Sequence, residues 1–122
     1  MAAKTLLDSF RFAFAGFAYS FKTQRNFRIH CLASLVLAVL LPLLDVGLTQ
    51  ALFLLSAMFL VLISELFNTA VEKTIDLYTD KYHPLAKIAK NCAAAAVLMS
   101  ALYAVVVGLV LLGPRFLAIL RR

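Results

Sequence analysis

The sequence predicts an all-α integral membrane protein, with an N-terminal amphipathic surface helix followed by three transmembrane helices. Three observations carry that expectation. Of 122 residues, 64% are hydrophobic and only 15% charged, and the mean hydropathy is +0.95, far from the composition of soluble domains. Apolar runs at 29–44, 51–63 and 92–113 are separated by short polar connections. Lys and Arg gather beside particular runs instead of spreading evenly. The length gives one domain, residues 1–122.

The surface helix is expected over about 5–22. Leu6, Phe10, Phe14, Phe17 and Phe21 recur at spacings of four, four, three and four, which puts an aromatic face along one side of a helix. Asp8 or Ser9 is available as an N-cap, and Lys4 and Lys22 mark the ends. Such a helix lies in the membrane interface and leans on its neighbours. Arg11 interrupts the Phe-rich stretch, and Lys22, Arg25 and Arg28 follow it, so it does not read as a cleaved secretory signal.

The first span is expected over 29–44, with Pro42 at its far end. It is short beside the roughly 20 residues a bilayer needs. The connection Asp45–Gln50 carries no Lys or Arg. The second span, 51–64, is short as well, but its helix continues without a break to about residue 77. Pro84 forbids a helix running into it, and the loop Tyr78–Lys90 holds Lys81, Lys87 and Lys90. The third span, 92–113, has no charge, and Ala96, Ser100, Ala104 and Gly108 form a small-residue ladder suited to close helix approach in lipid.

Orientation follows from the basic residues. Five Lys and Arg precede the first span, none lies between the first two spans, and four lie between Lys73 and Lys90. The positive-inside rule makes the N-terminus and the second loop cytoplasmic. Three spans then put Arg115, Arg121 and Arg122 outside, against the rule. The net charge of +6 is explained by anionic lipid near these flanks, so no nucleic-acid partner is expected. Cys31 and Cys92 stand apart, without a CxxC pattern, and read as small buried hydrophobes.

The chemistry concentrates between Glu65 and Asp76, which hold half of the six acidic residues. On a helix, Glu65, Asn68, Glu72 and Asp76 fall within about 80° of one another. Stacked like charges cost a few tenths of a kcal/mol each. A carboxylate drawn towards the bilayer centre costs about 2.5 to 3.5 kcal/mol on insertion scales. A bound cation or ligand is the natural compensation. At the same membrane edge lie Gln24, Arg25, Asn26 and Arg28, together with Lys87, Lys90 and Asn91. Acids, amides and lysines so gathered suit phosphoryl transfer, with Mg²⁺ on carboxylate oxygens, lysine on phosphates and a carboxylate as base. They equally suit a structural charge network. Four scattered glycines exclude a P-loop or a Gly-rich kinase loop, so a nucleotide site would be built from helix faces.

The string Glu65-Leu-Phe-Asn-Thr-Ala-Val-Glu72, then Asp76, then His83-Pro-Leu-Ala-Lys-Ile-Ala-Lys90, resembles the prokaryotic diacylglycerol kinase and undecaprenol kinase family. Lys22-Thr-Gln-Arg-Asn-Phe-Arg-Ile-His30 fits the same family's first segment. The resemblance implies a homotrimeric lipid kinase of the bacterial inner membrane, with ATP as donor, Mg²⁺ as cofactor and shared sites on the cytoplasmic side. It implies Glu65 as general base and Glu72 as metal ligand, with Gln24 where many members carry a second metal-binding Glu. Asn68, Asp76, Tyr82, His83, Lys90 and Asn91 fall around the nucleotide, with Gln24 and Glu72 reaching it as well. The lipid acceptor would meet Glu65, with Phe17 and Phe21 on the groove.

Gln24 departs from the usual Glu, Asn91 from the usual Asp, and Ala95 from a usual Gly. Those departures support the competing reading of a non-catalytic membrane assembly protein with a degenerate site. A channel fits less well, because the charges sit at one membrane edge. The His83–Lys87 segment resembles the undecaprenol branch more than the diacylglycerol branch. Together with a wholly apolar set of groove residues, it makes undecaprenol the favoured acceptor and diacylglycerol the alternative.

Overall fold

The computed structural model describes residues 5–121 and contains four α-helices and no strand among them. They are α1 (Leu6–Thr23), α2 (Arg25–Leu40), α3 (Leu48–Tyr78) and α4 (Pro84–Leu120). Lys4 and Arg122, expected to flank the helical body, lie outside the described residues. Helix α3 is the hub. It packs most extensively along α4 and more lightly on α2, while α1 touches α2 and α3.

Helix α1 begins one turn earlier than the Asp8 or Ser9 cap allows. Thr5 is the N-cap: its hydroxyl accepts from the Asp8 amide at 3.1 Å, and the Asp8 carboxylate accepts from the Thr5 amide at 3.2 Å. This reciprocal capping box uses Asp8 as its third helical residue. At the other end Gln24 adopts an extended conformation that breaks α1 from α2. Arg28 folds back from α2 and donates to the carbonyls of Phe21 and Lys22 at 3.3 and 3.0 Å, placing a cation on the open carbonyls of the α1 C-terminus. The corner is packed from inside by Phe27, which is fully buried and meets Phe17 edge to face at 5.0 Å.

Two helices, α3 and α4, are long and apolar enough to cross a membrane, with only 22% and 6% of their apolar windows buried within the chain. A core helix of a soluble protein would be mostly covered, so the low burial marks a membrane protein. Helix α2 has 16 residues and is about 24 Å long at 1.5 Å per residue, short of a hydrocarbon core of about 30 Å. It stops at Leu40, and a turn over 41–45 leads on. Asp45 there has φ 48, a left-handed conformation that Asp accepts better than most residues.

The buried residues of α3 are Leu54, Ala57, Val61, Glu65 and Thr69, one stripe at spacings of three and four. Its hydroxyls are satisfied within the helix: Ser56, Ser64, Thr69 and Thr74 each donate to the carbonyl four residues back. The basic loop is shorter than the sequence suggests, because Pro84 opens α4 as its first residue instead of sitting in a long coil. The loop is reduced to 79–83, where the Thr79 hydroxyl accepts from the Lys81 amide at 3.1 Å.

Helix α4 runs past Gly113 and through Pro114 to Leu120. Ser100 is buried on α4, and Ala104 and Gly108 are half-buried, whereas Ala96 is exposed, so three members of the small-residue ladder serve the packed face. Arg115 is engaged: it donates to the carbonyls of Leu44 and Asp45, the latter at 2.6 Å, and to Gln50 Oε1 at 2.7 Å. These acceptors tie the last turns of α4 to the α2–α3 turn and to the start of α3.

Candidate functional site

The acidic stripe of α3 climbs from a buried to an exposed setting. Glu65 is buried, Asn68 and Glu72 are half-buried, and Asp76 is exposed. Helical spacing alone puts the four on one face. Their different depths come from what covers α3: α1 and α2 shield the lower turns, and the last turn projects beyond them.

At the lower end, the Glu65 side chain is 5% exposed and its Oε1 lies 3.5 Å from His30 Nε2 of α2. That oxygen accepts no hydrogen bond, and neither does the buried Oδ1 of Asn68. Unsatisfied buried acceptors are rare and costly, and two of them one helical turn apart mark a place prepared for a donor or a cation. One turn on, Asn68 Nδ2 donates to Glu72 Oε1 at 3.2 Å, which holds the two side chains together.

At the upper end, Asp76 accepts from Lys73 at 3.0 Å and from Lys90 of α4 at 2.8 Å. Both lysines hold its carboxyl below the usual carboxylate range, Lys90 most strongly through its hydrogen bond. The Lys73 ammonium is in turn pushed above its ordinary value, chiefly by the hydrogen bond to Asp76. Asp76 and Lys90 line a cleft of about 350 Å³ together with Tyr82, His83, Lys87 and Asn91. Five residues expected around a nucleotide from sequence, Asp76, Tyr82, His83, Lys90 and Asn91, therefore share one polar cavity.

Two further spaces lie beside α3, neither of them lined by the four stripe residues. A crevice of about 160 Å³ between α2, α3 and α4 runs from His30 past Ser34, Ala57, Val61 and Ala104 to Leu112, and its walls are apolar apart from the first two. A groove of about 390 Å³ lies between α1 and α3, with Phe17, Ser20, Leu66, Thr69 and Lys73 on its walls. Phe17 lines that groove as expected. Phe21 is 44% exposed, is absent from the walls of that groove, and its carbonyl serves the Arg28 clamp.

Gln24 sits half-buried at the α1–α2 corner, where its backbone amide donates to Ser20 O at 2.8 Å. Its side chain makes no capping bond. Among the described residues no group of three or more His, Cys, Asp or Glu is placed to hold a metal. Mg²⁺ is commonly bound by only one or two carboxylates plus substrate phosphates. The hard oxygen donors of Glu72 and Asn68, one of them a buried acceptor without a partner, fit that ion. His30 and Lys73 are the residues the sequence did not single out. His30 belongs to the segment Lys22–His30, but its pairing with Glu65 depends on how α2 lies against α3.

A family model described as prokaryotic diacylglycerol kinase matches residues 11–112. A diacylglycerol kinase of Synechocystis sp. is 47% identical over 119 residues, covering 97% of this chain and 68% of the relative. An undecaprenol kinase of Bacillus subtilis is 37% identical over 110 residues, 88% of this chain and 87% of the relative. A diacylglycerol kinase of Escherichia coli is 31% identical over 105 residues, 86% of each. With a family model spanning most of its helices and relatives aligned over nearly its full length, the chain belongs to the prokaryotic diacylglycerol kinase family.

Proposed function

We propose that this lipid kinase transfers the γ-phosphate of ATP to the hydroxyl of undecaprenol, at a site where Glu65 is the general base. The observation that carries the reading is the buried, unpartnered Glu65 Oε1. Its neighbour His30, 3.5 Å away, heads the apolar crevice, and the acidic stripe runs on from Glu65 along α3. A lipid hydroxyl must stop at such a boundary, because its chain stays in hydrocarbon while the phosphate stays in water. A carboxylate within hydrogen-bond reach then accepts the proton as the oxygen attacks phosphorus.

Further along the stripe, Glu72 and Asn68 would hold Mg²⁺, with Gln24 the third oxygen donor from the α1–α2 corner. The ion, when bound, neutralises charge on the phosphates. Lys90 contacts the phosphates, Asp76 holds Lys90 in place, and Tyr82, His83 and Asn91 border the nucleotide. The departures at Gln24 and Asn91 leave a chain with a carboxylate base, an ion site and a phosphate lysine, which supports turnover over a degenerate assembly protein. A first span made of α2 and the turn after it, followed by α3 and α4, together with the basic residues at the N-terminus and in the second loop, supports a site on the cytoplasmic face of the inner membrane. The large exposed hydrophobics of α4 and the shallowness of a cleft closed on few sides support a homotrimer with shared sites.

Undecaprenol is favoured by the crevice, whose walls are apolar apart from His30 and Ser34 and suit a hydrocarbon chain more than a headgroup bearing two esters. The His83–Lys87 segment lends less, since Lys87 lines the nucleotide cleft. A second reading, diacylglycerol as acceptor, is favoured by the name of the 47% identical relative. Measuring kcat/KM for both alcohols in the same mixed micelles with labelled ATP and Mg²⁺ tests the choice. Undecaprenol is expected to be used more efficiently, and a preference for diacylglycerol would replace the acceptor while leaving the kinase intact.

A further inference from the structure

His30 touches three environments at once. Its Nε2 is 3.5 Å from Glu65 Oε1, its ring lines the head of the apolar crevice, and 28% of its side chain is exposed against 5% for Glu65. Glu65 is therefore sealed in, while the group beside it is not. A general base so enclosed faces a difficulty after each turnover: it holds a proton that must leave before the next acceptor is attacked.

We propose that His30 is a positioning residue for Glu65 and the outlet for its proton, an inference that rests on Glu65 being the general base. During transfer the acceptor's O–H proton passes to Glu65. The hydroxyl oxygen bonds to phosphorus as the bond to the ADP oxygen breaks. The neutral Glu65 carboxyl then gives its proton to Nε2 of a neutral His30. The resulting imidazolium loses its Nδ1 proton to water at the ring edge away from Glu65, and exchange of the remaining proton from Nε2 to Nδ1 through water restores the starting tautomer, so both side chains return to their starting forms. Imidazole is the side chain suited to taking up and releasing a proton near neutral pH. The other acid near Glu65, Glu72, is two turns away on the same helix and already accepts from Asn68. Between turnovers the ring, 3.5 Å from Glu65 Oε1, limits by contact where the carboxylate can sit.

The test compares His30→Ala and His30→Gln with the wild type in mixed micelles, reading kcat, the KM values for ATP and lipid, and the thermal midpoint. Gln keeps a polar N–H beside Glu65 but cannot carry a proton. Both variants should lose about a hundredfold in kcat, the low end of what a positioned proton-transfer group contributes, with KM for ATP within about twofold. Free imidazole should restore part of kcat to His30→Ala, saturably, and leave His30→Gln unchanged because its site is filled. Wild-type kcat in His30→Ala, or full recovery in His30→Gln together with no imidazole rescue, overturns the proposal. Glu65→Gln measured alongside separates the two failures. If it keeps wild-type kcat, the general-base reading falls. If it is inactive while the His30 variants are unimpaired, only the role of His30 falls.

Discussion

Lys90 Nζ donates to Asp76 Oδ1 at 2.8 Å across fourteen residues. This bond closes the 79–83 turn and fixes the first turns of α4 against the last turn of α3. It also sets a lysine on the rim of the polar cleft. The same contact thus serves the fold and the proposed phosphate site.

Lys90→Met removes the charge and the tie together. kcat/KM for ATP should fall about a hundredfold or more, as expected for a group that neutralises transferring phosphates. Asp76→Asn, which leaves Lys90 in place but unanchored, should fall less and chiefly through KM. Steady-state kinetics at varied ATP checks both, and equal losses in the two variants would show that Lys90 acts only through Asp76.

The Asp76 carboxyl is held below its usual range by Lys90 and then Lys73. A carboxyl whose pKa falls on folding contributes stability that is complete above its unfolded value, about 3.9, and vanishes as pH falls through the folded value. Lys73 is raised, so its contribution is complete below about 10.4 and is lost as pH climbs through its higher folded value. The melting difference between wild type and Asp76→Asn should be flat from about pH 5 to 9, small because the pairs are exposed, and should shrink towards both extremes. Thermal unfolding in detergent across pH checks it.

Arg115→Met leaves the carbonyls of Leu44 and Asp45 and the Gln50 amide oxygen without their donor. Water can reach the exposed Asp45 carbonyl but only in part the other two acceptors, so the loss should be near the low end, about 1 kcal/mol, of the cost of an unsatisfied buried group. The melting point should drop, while kcat stays near the wild-type value because the site lies at the other end of α3. A calorimetric scan paired with an activity assay decides whether the clamp is structural.

Native mass measurement should find particles of three 13.4 kDa chains. The described chain buries only Phe27, Leu54, Ala57 and Val61 as an apolar core, too little for helices of this length to hold alone. A monomer active at high dilution would contradict the shared site.

Much of this was legible in the sequence because it depends on neighbours along the chain. The unbroken apolar run into Glu65 foretells one long α3, and helical spacing puts Asn68 against Glu72. Contacts between helices were not legible in this way. The Glu65–His30 pair depends on the pitch of α2 against α3, and the Arg115 clamp joins residues about seventy positions apart. The Thr5 cap was missed because Asp8 attracts attention as a cap itself, whereas in the capping box it is the reciprocal partner. Pro84 was read as a helix stop, although it is equally suited to a first helical position. The short turn that follows from this is what brings Lys90 back to Asp76.

The central claim is that Glu65 takes the proton from a lipid hydroxyl, and phosphate transfer from labelled ATP to undecaprenol in mixed micelles tests it most directly. Glu65→Gln should lose about a hundredfold to ten-thousandfold in kcat and melt no lower than the wild type, since the amide removes a charge from a costly place. A Glu65→Gln protein that phosphorylates the lipid at the wild-type kcat would contradict the account.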